Sequence, residues 1–318
     1  MEFIETLEDL PERWRNPIVA IGVFDGMHLG HQAILREISR KAREIDGTAI
    51  LLSFHPHPQK TISPGDAPPL LQTASQKMEL LADIGIDVFI RLPFDREMSL
   101  LTPDQFGETI LKPLGTREIH VGENFRFGHR RSGDYKVLGE LGKKLGFEIF
   151  STSIHHFRGK RISSTWVRNS IKQGRVELAG RLLGRPYEIE GMVVRGDGKG
   201  STLGYPTANL NSSNELAPPS GVYISRVITE SGVYQGATNI GFRPTIKKDP
   251  DRKSSIETHL IGFEDNLYGQ KIKVSFCTRL REEKRFSSIG ELTAQIEHDL
   301  TRTRAYALKT KFISRKES

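Results

Sequence analysis

A decapeptide near the N-terminus, GVFDGMHLGH (22–31), holds three glycines, one aspartate and two histidines three positions apart. It follows the apolar run Ile18–Ile21 and precedes a stretch of helical periodicity. Gly22, Gly26 and Gly30 permit a tight turn and close backbone approach, and the spacing of His28 and His31 sets both imidazoles on one side of a first helical turn. Such a junction can hold a metal, hold a phosphate, or do nothing beyond turning the chain. The zinc-protease arrangement needs histidines at i and i+4 around a glutamate, which this box lacks. A helix N-terminus offers unpaired N–H groups to an anion, and imidazoles beside it can donate hydrogen bonds to phosphate oxygens as charge builds. The box fits neither Walker A nor G-x-G-x-x-G. Two histidines at this spacing are more often satisfied surface or core residues, so these ten positions leave all three roles open.

Other segments pose the same choice. ISSTWVR (162–168) reads as a helix start, with hydroxyls at the cap and Arg168 one turn in, suited to a pyrophosphate or to simple capping. HPHP (55–58) ends an apolar run and is either a rigid turn or a loop aimed at a ligand. Further on, GDGKG (196–200) leads into LGYPTANL (203–210), a plain hairpin or a phosphate cradle. Glu257, between Ile256 and Thr258, projects opposite an apolar strand face, where a glutamate is usually just solvated.

The elements that must position these groups fall into two patterns. Residues 18–183 alternate strand candidates (18–24, 48–54, 87–92, 117–122, 147–152) with amphipathic helices over 31–45, 74–84 and 103–111. That alternation predicts an α/β domain: a parallel sheet covered by helices, with ligands beyond the carboxyl ends of the strands. From Arg185–Pro186 to about Phe286 the pattern holds strands and turns only (187–194, 221–228, 232–240, 255–263, 271–278), which predicts an antiparallel barrel or sandwich. A final helix carries Leu292, Ile296, Leu300 and Tyr306 roughly on one face. Two abutting domains are expected, 1–185 and 186–318. The 318 residues suffice for two cores, and no apolar run reaches membrane-helix length. A single cysteine, Cys277, excludes an intrachain disulfide framework, and an acidic N-terminus is the wrong charge for a targeting peptide, so the cytoplasm is expected. The net charge of +7 favours anionic ligands, but the basic residues are dispersed outside the run KTKFISRKES that ends the chain. This is a solvated surface more than a nucleic-acid groove, and neither nucleic acid nor membrane is expected as a partner.

Taken together, G-x-F-D-G-x-H-x-G-H after the first strand and I-S-S-T-x-x-R downstream resemble the two signatures of the nucleotidyltransferase superfamily. HPHP and VGENFRFGHRRSGD (121–134) resemble the prokaryotic FAD synthetase domain. The PTAN box (206–209), NIGFRPT (239–245), IETH (256–259) and LYG (267–269) resemble riboflavin kinase. The match runs the length of the chain, in order, and is similar to the bacterial bifunctional riboflavin kinase/FAD synthetases. Two positions depart from the pattern: Trp166 stands where an arginine is usual, and Asn124 where aspartate is frequent.

The resemblance implies a Rossmann-like N-terminal domain that adenylylates FMN with ATP and a C-terminal barrel that phosphorylates riboflavin with ATP. It implies that His28 and His31 steady the α-phosphate, with Gly22, Phe24, Asp25, Gly26 and Gly30 shaping that ATP site. Asp25 supports either a metal or the loop. Ser164, Thr165 and Arg168 would hold the pyrophosphate, and His57, Pro58 and Asn124 would face FMN. In the kinase half it implies Glu257 as base and Gly196, Gly198, Lys199, Gly200 and Tyr205 around ATP. Thr207 and Asn209 would hold Mg²⁺–ATP, and residues 280–286 a second flap. A monomer or weak homo-oligomer is expected. Two rival classes remain at this point: an adenylyltransferase for another phosphate, and a non-catalytic flavin or nucleic-acid binder.

Overall fold

The computed structural model describes residues 1–10, 14–152, 155–196, 198–242 and 254–309. Asp197, the RPT end of the NIGFRPT segment (243–245), and positions 310–318 of the basic run lie outside them. The chain forms two compact units, Met1–Ser163 and Ser164–Ser318.

In the first unit six strands pair, all in parallel, in the order β1-β4-β3-β2-β5-β6: β1 (Glu2–Ile4), β2 (Ile18–Ile21), β3 (Ala49–His55), β4 (Val88–Pro93), β5 (Glu118–Gly122) and β6 (Glu148–Thr152). Helices α1 (Leu29–Glu44), α2 (Pro58–Ile62), α3 (Ala74–Ile84), α4 (Arg96–Leu100), α5 (Pro103–Phe106) and α6 (Tyr135–Leu145) connect them. Alternate strand residues feed two cores. Ile18, Ala20, Leu51 and Phe89 meet Leu35 and Ile38 of α1 and Leu81 of α3. Val19, Ile21, Ile50, Leu52 and Ile90 meet Phe106, Leu138 and Leu141 on the other face. Burial on both faces is why these strands read as unbroken apolar runs.

Three expectations are corrected here. The strand expected over 18–24 stops at Ile21, because Phe24 turns into a positive φ of 48°. The helix expected over 103–111 is α5 followed by a π-helical turn, Gly107–Leu111. Strand β1 went unexpected because three residues are too few for periodicity to show. A two-stranded ribbon, β7 (His156–Phe157) and β8 (Lys160–Arg161), ends the unit.

The second unit opens with α7 (Ser164–Lys172) and α8 (Val176–Leu183). A closed antiparallel barrel follows, in the order β10-β13-β12-β11-β14-β9, from β9 (Tyr187–Val194), β10 (Ala208–Ser212), β11 (Gly221–Thr229), β12 (Gly232–Phe242), β13 (Ser254–Leu260) and β14 (Lys271–Arg281). The short α9 (Lys199–Thr202) interrupts a stretch expected to hold strands and turns only, and β10 is an unexpected strand that starts at Ala208 of the PTAN box. Helix α10 (Ile289–Lys309) closes the described chain. It is tied to the barrel by Arg281 Nε, which donates to Asp299 Oδ2 at 2.8 Å, and by Gln235 Nε2, which donates to the Thr303 carbonyl at 2.6 Å.

Candidate active sites

Beyond the carboxyl end of β2 the GVFDGMHLGH box forms a tight, largely buried loop. Phe24, Asp25, Met27 and His28 are buried. Gly26 has φ 79°, and a Cβ there would meet Leu71 Cδ1 at 2.5 Å, so both backbone conformation and space call for glycine. The Asp25 carboxylate accepts the Leu71 N–H, at 2.9 Å to Oδ1 and 3.2 Å to Oδ2. Of the two roles open for Asp25, loop support is therefore visible in the structure.

His28 is the N-cap of α1, its Nδ1 accepting the His31 backbone N–H at 3.3 Å. The two rings stack with centroids 3.6 Å apart, and Phe24 packs on His31 at 4.8 Å. Gly30 clears room for this: a Cβ there would lie 3.3 Å from the His28 ring. Burial, with Arg161 and His155 adding to it, pushes His28 down to about 4 against the pull of a backbone hydrogen bond. His31 falls well below its ordinary value through burial first, then the charges of His28, Lys77 and Arg161. Both imidazoles are thus neutral at pH 7, and a neutral ring presents one N–H without a buried cation. His31 Nδ1 is buried with no hydrogen-bond partner among the described residues. Such an orphan calls for a ligand atom or water.

The remaining expected residues of this half are placed as follows. His57 caps α2, its Nδ1 accepting the Gln59 N–H at 3.2 Å, and Pro58 is that helix's first residue. Asn124 is exposed beyond β5, its carboxamide oxygen facing the Arg161 guanidinium. In the second unit Ser164 opens α7, Thr165 beside it is exposed, Arg168 is buried and Trp166 is half-buried. Sequence reasoning missed Lys77, Gln72, His155 and Arg161. Arg161 adjoins the ISST box and so had a signal; Lys77 sits in an ordinary amphipathic helix and had none.

The kinase candidates gather on the outward face of the barrel. Val194, Asn209, Glu257 and Asn239 stand in one register row across β9, β10, β13 and β12. Glu257 is half-buried on that face, while Ile256 and Thr258 point inward and are buried. Gly196 packs on Asn209: a Cβ there would come within 2.3 Å of Asn209 Nδ2. Likewise a Cβ on Gly200 would meet the Tyr205 carbonyl at 2.5 Å and Thr207 Oγ1 at 3.3 Å. Gly196 and the 198–207 segment therefore pack back over the start of β10. Gly198 precedes α9 with φ 71°, and Lys199 is that helix's first residue. His259, on the same strand face as Glu257, bonds through Nδ1 to the Pro206 carbonyl at 2.8 Å, and the Tyr205 ring meets it edge-on at 6.0 Å. The Tyr205 hydroxyl donates to Glu297 of α10, which raises the phenol above its ordinary range. Within 280–286, Glu283 reaches β12, its Oε1 lying 3.1 Å from where a Gly241 Cβ would be.

These observations define a class: a parallel α/β nucleotidyltransferase-type unit in series with a closed six-stranded barrel bearing its own polar row. The comparisons make the class specific. The FAD synthetase family model matches residues 10–166, and the riboflavin kinase model residues 183–307. The bifunctional riboflavin kinase/FMN adenylyltransferase of Haemophilus influenzae is 34% identical over 96% of this chain and 99% of its own. That of Escherichia coli K12 is 36% identical over 92% and 94%, respectively. A solved structure of a Streptococcus pneumoniae protein titled macrolide-efflux protein superposes with TM-score 0.86 at 27% identity, covering 95% of this chain and 98% of that one. The chain belongs to the bifunctional riboflavin kinase/FMN adenylyltransferase family. Among the described residues no helix is long and apolar enough to cross a membrane.

Proposed function

We propose that the two halves work in sequence in the cytoplasm: riboflavin is phosphorylated at the barrel and FMN is adenylylated at the GVFDGMHLGH loop, each with ATP. The observation that carries this reading is the presence of two separate polar constellations, the stacked His28–His31 pair on α1 and the Asn209–Glu257–Asn239 row on the barrel. The functional domains are 1–185 and 186–318.

At the barrel, Glu257 accepts the proton of the riboflavin 5′-hydroxyl as its oxygen attacks the γ-phosphorus and ADP departs. The glycine-rich segment 196–200 covers the phosphates. The Thr207 hydroxyl and the Asn209 carboxamide flank that segment at Gly200 and Gly196, and both are hard oxygen donors of the kind Mg²⁺ takes together with phosphate oxygens. Bound there, Mg²⁺ supplies charge neutralisation across the phosphates. Residues 280–286 cover the flavin, and Glu283 brings them to β12.

At the loop, an FMN phosphate oxygen attacks the α-phosphorus of ATP and pyrophosphate leaves. FMN's phosphate is already ionised, so no protein base is needed and catalysis is positioning plus charge stabilisation. His28 and His31 donate to the α-phosphate, Ser164, Thr165 and Arg168 receive the pyrophosphate, and His57, Pro58 and Asn124 face FMN. Chromatography of products from riboflavin, ATP and Mg²⁺ tests the scheme: FMN must appear first and FAD after it. FMN alone would remove the adenylyl-transfer half, and neither product would remove both.

A further inference from the structure

The loop between β2 and α1 has its carbonyls held from behind. Lys77 Nζ, on α3, donates to the Val23 carbonyl at 2.7 Å. Gln72 Nε2, just before α3, reaches the Phe24 carbonyl at 3.5 Å, and Gln32 Nε2, on α1, donates to the Met27 carbonyl at 2.7 Å. On the same side Asp25 turns its carboxylate onto the Leu71 N–H. Each of these partners comes from α1, α3 or the connection before α3, so the loop's backbone is fixed from neighbouring elements. Three carbonyls of the loop are therefore engaged by side-chain donors and do not face a bound anion unpaired. Phe24 is the link to the chemistry: its carbonyl is held by Gln72, its neighbour's by Lys77, and its ring packs on His31.

Lys77 is an unusual choice for a bracket. Burial lowers it to about 8, against the opposing pull of Asp25, while Arg91 lowers it further. Lys77 is half-buried; an ammonium withdrawn from water is costly unless it is hydrogen-bonded and paired, and a glutamine could satisfy one carbonyl without that cost. The Val23 carbonyl also accepts the Ser53 hydroxyl at 3.3 Å, so what lysine adds is a fixed positive charge at the loop, with Asp25 and the Val23 carbonyl as its partners.

We propose that Lys77 is a positioning residue for FMN adenylylation: from α3 it clamps the Val23 carbonyl and, through the Phe24 turn, sets the His31 imidazole against the α-phosphate of ATP. Gln72 assists at the next carbonyl. The inference rests on the assignment of His28 and His31 to adenylyl transfer and adds a residue that touches neither substrate.

The test compares Lys77→Met, Lys77→Arg, Gln72→Met and His31→Ala in the full-length protein, with both activities and the thermal midpoint measured on each. Loss of one charge-assisted hydrogen bond corresponds to roughly 10- to 100-fold. For Lys77→Met the expected result is a fall of that size in kcat for FAD formation, with KM for FMN little changed and riboflavin phosphorylation intact. Lys77→Arg should recover most of the rate, and Gln72→Met should lose about two- to tenfold. Wild-type kcat in Lys77→Met, with His31→Ala inactive, overturns the clamp and leaves the site assignment standing. Full activity in His31→Ala overturns the site assignment itself. If Lys77→Met does not fold, an unimpaired Gln72→Met together with an inactive but folded Lys77→Arg overturns the proposal, since that pattern points to packing alone.

Discussion

The two candidate sites are built on opposite physical plans. The GVFDGMHLGH loop is part of a core: Phe24, Asp25, Met27 and His28 are buried, and helices on one side bracket its backbone. The barrel candidate is a row of side chains on an outer strand face, half-buried at Glu257, with the glycine-rich segment packed on the start of β10 beside it. Adenylyl transfer needs no protein base, only groups held where charge develops, and a buried loop holds them without reorganisation. Phosphorylation of a neutral hydroxyl needs a base that riboflavin can reach and a cover that lets ATP in, the roles proposed for Glu257 on the strand face and for the glycine-rich segment.

The sharpest way to break this comparison is to remove the histidines. His28→Ala with His31→Ala should lower FAD formation by at least about 10³-fold, since removing even one donor to a developing charge costs about 10²–10³, while FMN formation stays near wild type. Product chromatography from riboflavin and from FMN reads the two steps separately. Glu257→Gln should do the reverse, costing riboflavin phosphorylation about 10²–10⁴-fold, the usual contribution of a general base. A single substitution that silences both activities in a folded protein would refute the two-site scheme.

The burial of the first site has a consequence in pH. His28 is held neutral, with its folded value near 4 against 6.5 for the free side chain. A lowered folded value means that the unfolded chain binds more protons, so the contribution to stability is complete above about 6.5 and is lost as pH falls towards 4. The loss is on the order of 3 kcal/mol by the size of that shift, and His31 acts in the same direction. Thermal midpoints recorded between pH 7 and pH 4 should fall, and His28→Gln should flatten the profile. An unchanged slope in that variant would show that His28 is not the group being titrated.

How much of this was legible in the sequence differs between the two halves for physical reasons. The parallel strands announced themselves because both faces are buried, and the polar boxes stood out by type and spacing. Residues 22–24 were read into β2 because nothing in apolar character distinguishes a strand from a buried turn; the positive φ at Phe24 is a tertiary outcome. Lys77 could not have been found, since a lysine in an amphipathic helix is normally solvated, and its burial depends on where α3 docks. In the barrel, β10 was concealed by Pro206 just before it and by Asn209 and Asn211 within it, which are poor strand formers. The partner of Asp25, the Leu71 N–H, lies far away in the chain and leaves no mark on the local sequence.

The smallest expected effect lies in the cover of the second site. Tyr205 is tied at two points, its ring against His259 and its hydroxyl to Glu297 on α10. Because His259 also holds the Pro206 carbonyl, the segment that leads from α9 into Thr207 and Asn209 is anchored at its far end. Glu297→Gln keeps a weaker acceptor and Tyr205→Phe removes the donor. An exposed pair of this kind contributes little, so each substitution should change kcat/KM for riboflavin phosphorylation by only about two- to fivefold. The direction is informative. If the tether holds the segment in its working position, KM for ATP rises and kcat is nearly constant. If release of the segment limits turnover, Tyr205→Phe raises kcat instead. FMN adenylylation should be indifferent to both, and a parallel fall there would erase the contrast between a buried, pre-set loop and an open face with a tethered cover.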